Sequence, residues 1–280
     1  MNQKIEKVQI KDLRDELIEK IQKEIENFEV ILLDPNITEE KLPLVASGTL
    51  IQIEDKYCIL TAKHVTDELK KLEKIGLNLG AFKHCFTINT SDLYVKELDS
   101  SFQTATSPDL TVIVLPEDKV GTIKAKKLFW NILKHKEPVL SNSIDWKNGL
   151  FILCGVIRDW TKVENSTGQF NKTLNCDCRF MDTGIRKQPY VESGFDYLEL
   201  SVSYRNRTDL PDTFNGASGG GIWGTWLSRV DSKIDYSSPL LMGVAYEEKR
   251  KVNDSRSVIE SILGYGWHSI YEQLPKVVNP

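Results

Sequence analysis

Phe214-Asn215-Gly216-Ala217-Ser218-Gly219-Gly220-Gly221 sets one serine among four glycines. Backbone N–H groups converge on an atom beside such a serine only where the neighbouring residues carry no bulk, which is what glycine provides. A serine hydroxyl becomes a nucleophile when an imidazole takes its proton and a carboxylate holds that imidazole in the right tautomer. Both partner types lie upstream. Leu60-Thr61-Ala62-Lys63-His64-Val65 runs a strand into a small residue and then a histidine before a turn. Ser107-Pro108-Asp109-Leu110-Thr111-Val112-Ile113-Val114-Leu115 places an aspartate at the entrance of a buried strand. His64, Asp109 and Ser218 are therefore the candidate base, orienter and nucleophile, and the amides of Gly216 and Ser218 are the candidate oxyanion donors. Taken singly each piece has a plainer reading: His64 as a structural histidine, Asp109 as a turn or cap residue, and the glycine run as a loop or phosphate cradle. The Gly-x-x-x-x-Gly-Lys pattern of a phosphate loop is missing, and His84, His135 and His268 have no comparable setting.

Working outward, short β-branched segments recur at 49–53, 57–62, 85–89, 110–115, 150–157, 197–203, 221–226 and 240–246, separated by turns rich in Gly, Asp, Asn and Pro. Many short strands with little helix between them predict an antiparallel barrel or sandwich. Three helical segments are predicted. Leu13, Leu17, Ile21, Ile25 and Phe28 form an apolar stripe at steps of three and four, which predicts an amphipathic helix ending before Asp34-Pro35-Asn36. Its stripe packs on its own domain or serves as a docking arm for a regulatory partner. The others are 67–75 and 269–277. The basic segment that opens Thr122-Ile123-Lys124-Ala125-Lys126-Lys127 and runs to Lys136 reads as a solvated connector between two halves.

The 280 residues, 40% hydrophobic and 27% charged, describe a folded globular chain of one large or two small domains. A net charge of −4 supplies no basic field, so neither nucleic acid nor an anionic membrane is an expected partner. The apolar runs 151–157 and 240–245 fall far short of the ~20 residues of a membrane span. The N-terminus has no apolar core followed by a small-residue cleavage site, so a cytoplasmic location is expected. Cys58, Cys85, Cys154, Cys176 and Cys178 are an odd number without a framework spacing, as thiols in a reducing compartment would be. Cys176-Asp177-Cys178 is too close a pair for a zinc knuckle, and no metal or cofactor is expected.

The three chemical segments together resemble the trypsin-like, chymotrypsin-fold serine peptidases, in an intracellular bacterial form. The hallmarks of that family are Thr-Ala-x-His, an Asp-Leu or Asp-Ile opening a strand, and Gly-x-Ser-Gly-Gly, in the order His, Asp, Ser. The resemblance covers roughly residues 47–246. It implies an all-β fold of two antiparallel six-stranded-type β-barrels, with the amphipathic N-terminal helix and a short C-terminal helix added. The corresponding division is an arm at 1–29, a first barrel at 30–121 with His64 and Asp109, a connector at 122–144, and a second barrel at 145–280 with Ser218. Two departures bear on regulation. Val65 stands where secreted members carry a bridged cysteine. Ala217 stands where they carry an aspartate that pairs with a new N-terminus after zymogen cleavage, so activation is constitutive or uses another element.

The family's specificity pocket has its floor six residues before the nucleophile, which in this chain is Asp212, next to Thr213. An acid there implies cleavage after Lys or Arg through a charge-assisted contact; the plainer reading has Asp212 turning the chain after Pro211. Gly243-Val244-Ala245-Tyr246-Glu247-Glu248 resembles the wall that pairs with substrate by strand addition, giving Tyr246 and Glu247 as further substrate contacts. The expected activity is hydrolysis of peptide bonds in a restricted intracellular substrate, in a setting such as stress or phage defence. The alternatives are a catalytically silent peptide-binding module on the same fold and an esterase.

Overall fold

The computed structural model describes residues 15–36, 45–80, 85–98, 108–141, 148–165, 172–175, 178–202, 211–230, 233–253 and 256–279. Within these the chain is mostly β, arranged as two largely antiparallel sheets with a few short helices, consistent with a chymotrypsin-like two-barrel fold. The first sheet is built from β1 (Glu29–Leu33), β2 (Val45–Ile53), β3 (Lys56–Thr61), β4 (Lys74–Asn78), β5 (Phe86–Asn89), β6 (Tyr94–Glu97), β7 (Thr111–Val114) and β8 (Trp130–Asn131). Its order is β5-β4-β1-β2-β3-β7-β6, with β8 added in parallel to β2. A two-stranded ribbon, β10 (Lys162–Asn165) and β11 (Lys172–Asn175), follows β9 (Gly149–Val156). The second sheet contains β9, β12 (Cys178–Thr183), β13 (Tyr190–Glu192), β14 (Phe195–Ser201), β15 (Gly221–Val230), β16 (Lys233–Tyr236), β17 (Leu240–Asn253) and β18 (Arg256–Gly266). Its order is β12-β9-β15-β17-β18-β14-β13, with β16 on β15. Each sheet thus has eight strands among the described residues where six were expected, the surplus including β8 and β16.

Both faces of the central strands are buried, which explains their near-continuous apolar sequences. On β2 and β3, Leu50 and Ile59 join one core with Val30, Leu32 and Ile113. Ile51, Ile53, Cys58 and Leu60 point the other way, into the core that also holds Leu153, Trp223 and Met242 of the second sheet. Helix α1 (Asp15–Glu26) packs on this second core: Ile21 and Ile25 are fully buried, with Leu17, Ile18 and Phe28 half-buried against it. Leu13 lies outside the described residues.

The helix predicted at 67–75 forms instead as α2 (Lys63–Leu69), and the chain then turns into β4. Leu69, Leu72 and Ile75 have helical spacing, but Ile75 and Leu77 are fully buried where β4 pairs with β1 and β5, and that pairing outweighs local periodicity. The basic connector is structured: it contains the end of α3 (Glu117–Lys124), then β8 and α4 (Ile132–Leu140). Of its basic residues Lys124, Lys126 and Lys134 are exposed, as a solvated face requires, whereas Lys127 is buried and donates to the Glu26 carbonyl at 2.8 Å. The β18 strand was not predicted at all, because its centre, Ile259-Glu260-Ser261-Ile262, interrupts the apolar run. At the C-terminus a π-type turn at Ser269–Gln273 leads into α5 (Leu274–Val278), close to the predicted 269–277.

Where the sheets meet, a carboxyl group is enclosed. Glu29 at the head of β1 is 1% exposed; it accepts from the Trp223 indole at 2.8 Å, from Thr49 Oγ1 at 3.3 Å and from the Gly221 N–H at 3.4 Å. Burial pushes its pKa from 4.5 up to about 8, with the Trp223, Gly221 and Thr49 bonds opposing the rise. Between those two values the folded chain holds a proton that the unfolded chain has released. Stability from this group is therefore complete below about pH 4.5 and is lost as the pH climbs through about 8. Thermal melts of wild type and Glu29→Gln across pH 5 to about 8.5 should diverge. The wild-type melting temperature is expected to fall relative to the variant's as the pH rises; parallel curves would exclude the shift.

Candidate active site

Helix α2 begins directly after β3, and Ala62 at its N-cap offers no side-chain acceptor. The acceptor comes from another segment. The Asp109 carboxylate receives the His64 backbone N–H at 2.8 Å through Oδ1, and lies 2.6 Å from His64 Nδ1 through Oδ2. One side chain thus satisfies a helix terminus and fixes the orientation of the imidazole, leaving Nε2 as the acceptor. The hydrogen bond to Asp109 raises the His64 pKa above its ordinary 6.5 against the opposing effect of burial, helped by the charges of Asp109, Asp67 and Glu247. Burial pushes the Asp109 carboxyl up, but the hydrogen bonds from the His64 ring and from the His64 and Lys63 backbones outweigh it and hold the group below its ordinary value.

Asp109 is itself positioned from the second sheet. Its N–H donates to the Tyr265 hydroxyl at 2.8 Å, and Tyr265, on β18, is 3% exposed. The Tyr265 ring packs 4.6 Å from that of Tyr246 and 5.2 Å from that of Tyr197. The sequence reading missed Tyr265, since a lone tyrosine in an unrecognised strand gives no signal beyond core packing.

The serine loop is held peptide by peptide. Gly216 and Gly219 take φ values of +96° and +89°; a Cβ at Gly219 would collide with Thr61 Oγ1 and the Ser47 carbonyl. The Asn215 carbonyl accepts from the Arg158 N–H at 2.8 Å, and the Ala217 carbonyl from the Gly220 N–H at 2.9 Å. In a trans peptide the N–H points opposite to the C=O, so these two bonds fix the directions of the Gly216 and Ser218 N–H groups. Neither of those N–H groups has an acceptor among the described residues. Ser47, 1% exposed on β2, braces the same loop: its hydroxyl donates to the Gly216 carbonyl at 2.7 Å and accepts the Val156 N–H at 2.9 Å, while its own N–H donates to the Ser218 carbonyl at 3.2 Å. Ala217, the residue noted above as a departure from the resembled family, is 3% exposed and packs in the core. Ser47 too went unnoticed in the sequence.

A cavity of about 200 Å3 brings His64 and Ser218 together with Phe214, Tyr246, Glu247 and Glu248. The Ser218 hydroxyl donates to the Tyr246 carbonyl at 3.2 Å and forms no hydrogen bond with His64. Tyr246 stands at a register shift between Ala245 and Glu247 where β17 pairs with β18; such bulges re-aim the strand next to them. Two expected substrate contacts, Tyr246 and Glu247, line the cavity; Asp212 and Thr213 do not. The Asp212 side chain is exposed, and among the described residues only its carbonyl is engaged, by Arg250 at 2.7 Å. Thr213 Oγ1 instead accepts the Asn215 N–H at 3.3 Å and lies 3.4 Å from Asp159. Asp212 thus stands off this cavity, and the partly buried acid on it is Glu248, whose Oε2 accepts the Phe214 N–H at 2.6 Å. Of the cysteines, Cys58 and Cys85 are free thiols, Cys154 is buried in the core, and the Cys176 and Cys178 side chains lie outside the described residues.

No family model matches the sequence, and no curated protein does. Among solved structures the chain is similar to a serine endoprotease from Yersinia pestis, at 14% identity and a TM-score of 0.45, over 93% of this chain and 66% of that one. It is similar to Rv3671c of M. tuberculosis, in the inactive form of a serine-to-alanine mutant, at 12% identity and a TM-score of 0.44, over 94% of both chains. A human pathogenic astrovirus serine protease aligns at 11% identity and a TM-score of 0.36, over 86% of this chain and 90% of that one.

Proposed function

We propose that the protein is a serine endopeptidase. The observation that carries this reading is the double hold of Asp109 on the ring and backbone of His64, in a cavity shared with Ser218. Ser218 Oγ bonds to the scissile carbonyl carbon as its proton passes to His64 Nε2. The oxygen charge that develops is met by the Gly216 and Ser218 N–H groups. His64 then gives the proton to the leaving amine, and a water activated by the same imidazole releases the acyl group from Ser218. Asp109 keeps its charge throughout and supports the imidazolium. The reducing, cytoplasmic setting suggested by the cysteine usage, without a zymogen lock at Ala217, goes with a restricted peptide substrate.

The bond from the Ser218 hydroxyl to the Tyr246 carbonyl favours a second reading, a peptide-binding module without turnover. Catalytic hydrogen bonds are often long or misaligned before substrate binds, so that bond alone does not decide the matter. A fluorophosphonate probe does. Labelling that disappears in Ser218→Ala supports the enzyme, absence of labelling supports the binding module, and paired peptide and ester panels separate peptidase from esterase.

Ser47→Ala removes the donor to the Gly216 carbonyl and leaves the Val156 N–H without its acceptor. Because the loop it braces carries the oxyanion donors, kcat is expected to fall about 10- to 100-fold with KM changed less than about twofold. Steady-state kinetics on one peptide substrate reads both. A rise in KM with kcat intact would assign Ser47 to substrate binding instead.

A further inference from the structure

The two acids on the cavity are not equivalent. Glu247 is solvent-exposed and has no ion-pair partner among the described residues, so water and salt screen it. The Glu248 side chain is 20% exposed and both of its oxygens are taken. Oε2 holds the Phe214 N–H at 2.6 Å, while Oε1 lies 2.8 Å from Arg250 Nε and 2.7 Å from Arg250 Nη2. The same guanidinium donates to the Asp212 carbonyl at 2.7 Å, tying β17 to the segment that leads into Phe214. Arg250 therefore neutralises Glu248 from outside the cavity, whose lining contains no Lys or Arg. Beside the catalytic candidates His64 and Ser218 and the polar Asn215, the rest of the lining is apolar or aromatic: Phe214, Ala217, Ala245, Tyr246 and Ile262.

Three kinds of side chain could enter beside Ser218. A cation would have to share the Glu248 carboxylate with a guanidinium that already directs two N–H groups onto its Oε1, meeting a like charge at close range. An anion would face two carboxylates with no Lys or Arg in the lining to offset them. An uncharged apolar group would pack on Phe214, Tyr246 and Ile262 and leave the ion pair intact. We infer that the residue entering this cavity, on the acyl side of the scissile bond, is uncharged and apolar, and that Arg250 imposes this selectivity by occupying Glu248. The inference rests on the serine endopeptidase reading and departs from the Lys/Arg preference that Asp212 suggested.

The test is the cleavage profile of the full chain on a fluorogenic peptide library varied at that one position. Wild type is expected to favour Leu, Met or Phe over Lys and Arg by at least about tenfold. Arg250→Ala should raise relative cleavage after Lys and Arg by about tenfold or more, and adding Glu248→Gln should abolish that gain, since Glu248 is the acid unmasked. Arg250→Gln, which keeps a donor for the Asp212 carbonyl, carries the same expectation if the alanine variant fails to fold. A wild-type preference for Lys or Arg would overturn the inference, as would active Arg250 variants with an unchanged profile, or a profile governed by Glu247→Gln alone. Fluorophosphonate labelling of Ser218 combined with any of these results would overturn the inference alone. No labelling and no cleavage of any peptide would remove the endopeptidase reading and the inference with it.

Discussion

Ser218→Ala and His64→Ala are each expected to lower peptide turnover by about 10,000- to 1,000,000-fold, with little change in melting temperature. The loss is large because nucleophile, base and orienter act as a unit, and the double variant should be scarcely worse than either single one. Removing the Ser218 hydroxyl leaves only the oxyanion donors and substrate positioning. Removing the His64 ring leaves a hydroxyl with nothing to take its proton and an Asp109 carboxylate without its main partner. Folding should survive both changes: the His64 side chain is 53% exposed, and among the described residues the Ser218 hydroxyl bonds only to the Tyr246 carbonyl. Initial rates on a peptide substrate, with circular dichroism as the control for fold, decide the matter. Peptidase activity retained by purified Ser218→Ala would end the assignment.

Deleting residues 1–28 is expected to have the largest effect on stability. It strips fully buried Ile21 and Ile25 from the core, together with Leu17, Ile18 and Phe28, whose ring lies 5.3 Å from those of both Trp130 and Trp223. It also removes main-chain carbonyls that accept real bonds: Asn27 from the Leu128 N–H at 2.7 Å, and Phe28 from the Leu50 N–H at 2.6 Å. Emptying a buried isoleucine site costs about 2–5 kcal/mol, so the two isoleucines alone approach the ~5–15 kcal/mol that holds a typical domain together. The truncated chain should melt tens of degrees lower or fail to fold cooperatively. Ile25→Ala, a milder change, should cost about 3 kcal/mol in denaturant unfolding. An unchanged melting temperature after truncation would show that α1 is an accessory arm. In the structure the Ile21 and Ile25 face on which a docking partner would rely is turned into the core.

The residue types that must meet, and the elements that carry them, are written along the chain. Asp109 on His64 was legible because the chemistry requires a carboxylate on an imidazole, and each residue carries a local signature at a strand end. The mostly β character was legible because β-branched runs separated by turn residues leave few other ways to bury so much apolar surface. Tertiary structure alone decided the rest. Leu69, Leu72 and Ile75 satisfy a helical period, yet pairing with β1 makes Ile75 part of a strand. Asp212 and Glu248 are both acids near the serine loop, and only the way β17 packs beside that loop leaves Asp212 exposed and puts Glu248 on the cavity. Ser47, Glu29 and Tyr265 act on segments 169, 192 and 156 residues away in sequence. Local propensity extends over a few residues, whereas these bonds depend on how two sheets dock, and no pattern along the chain encodes that distance.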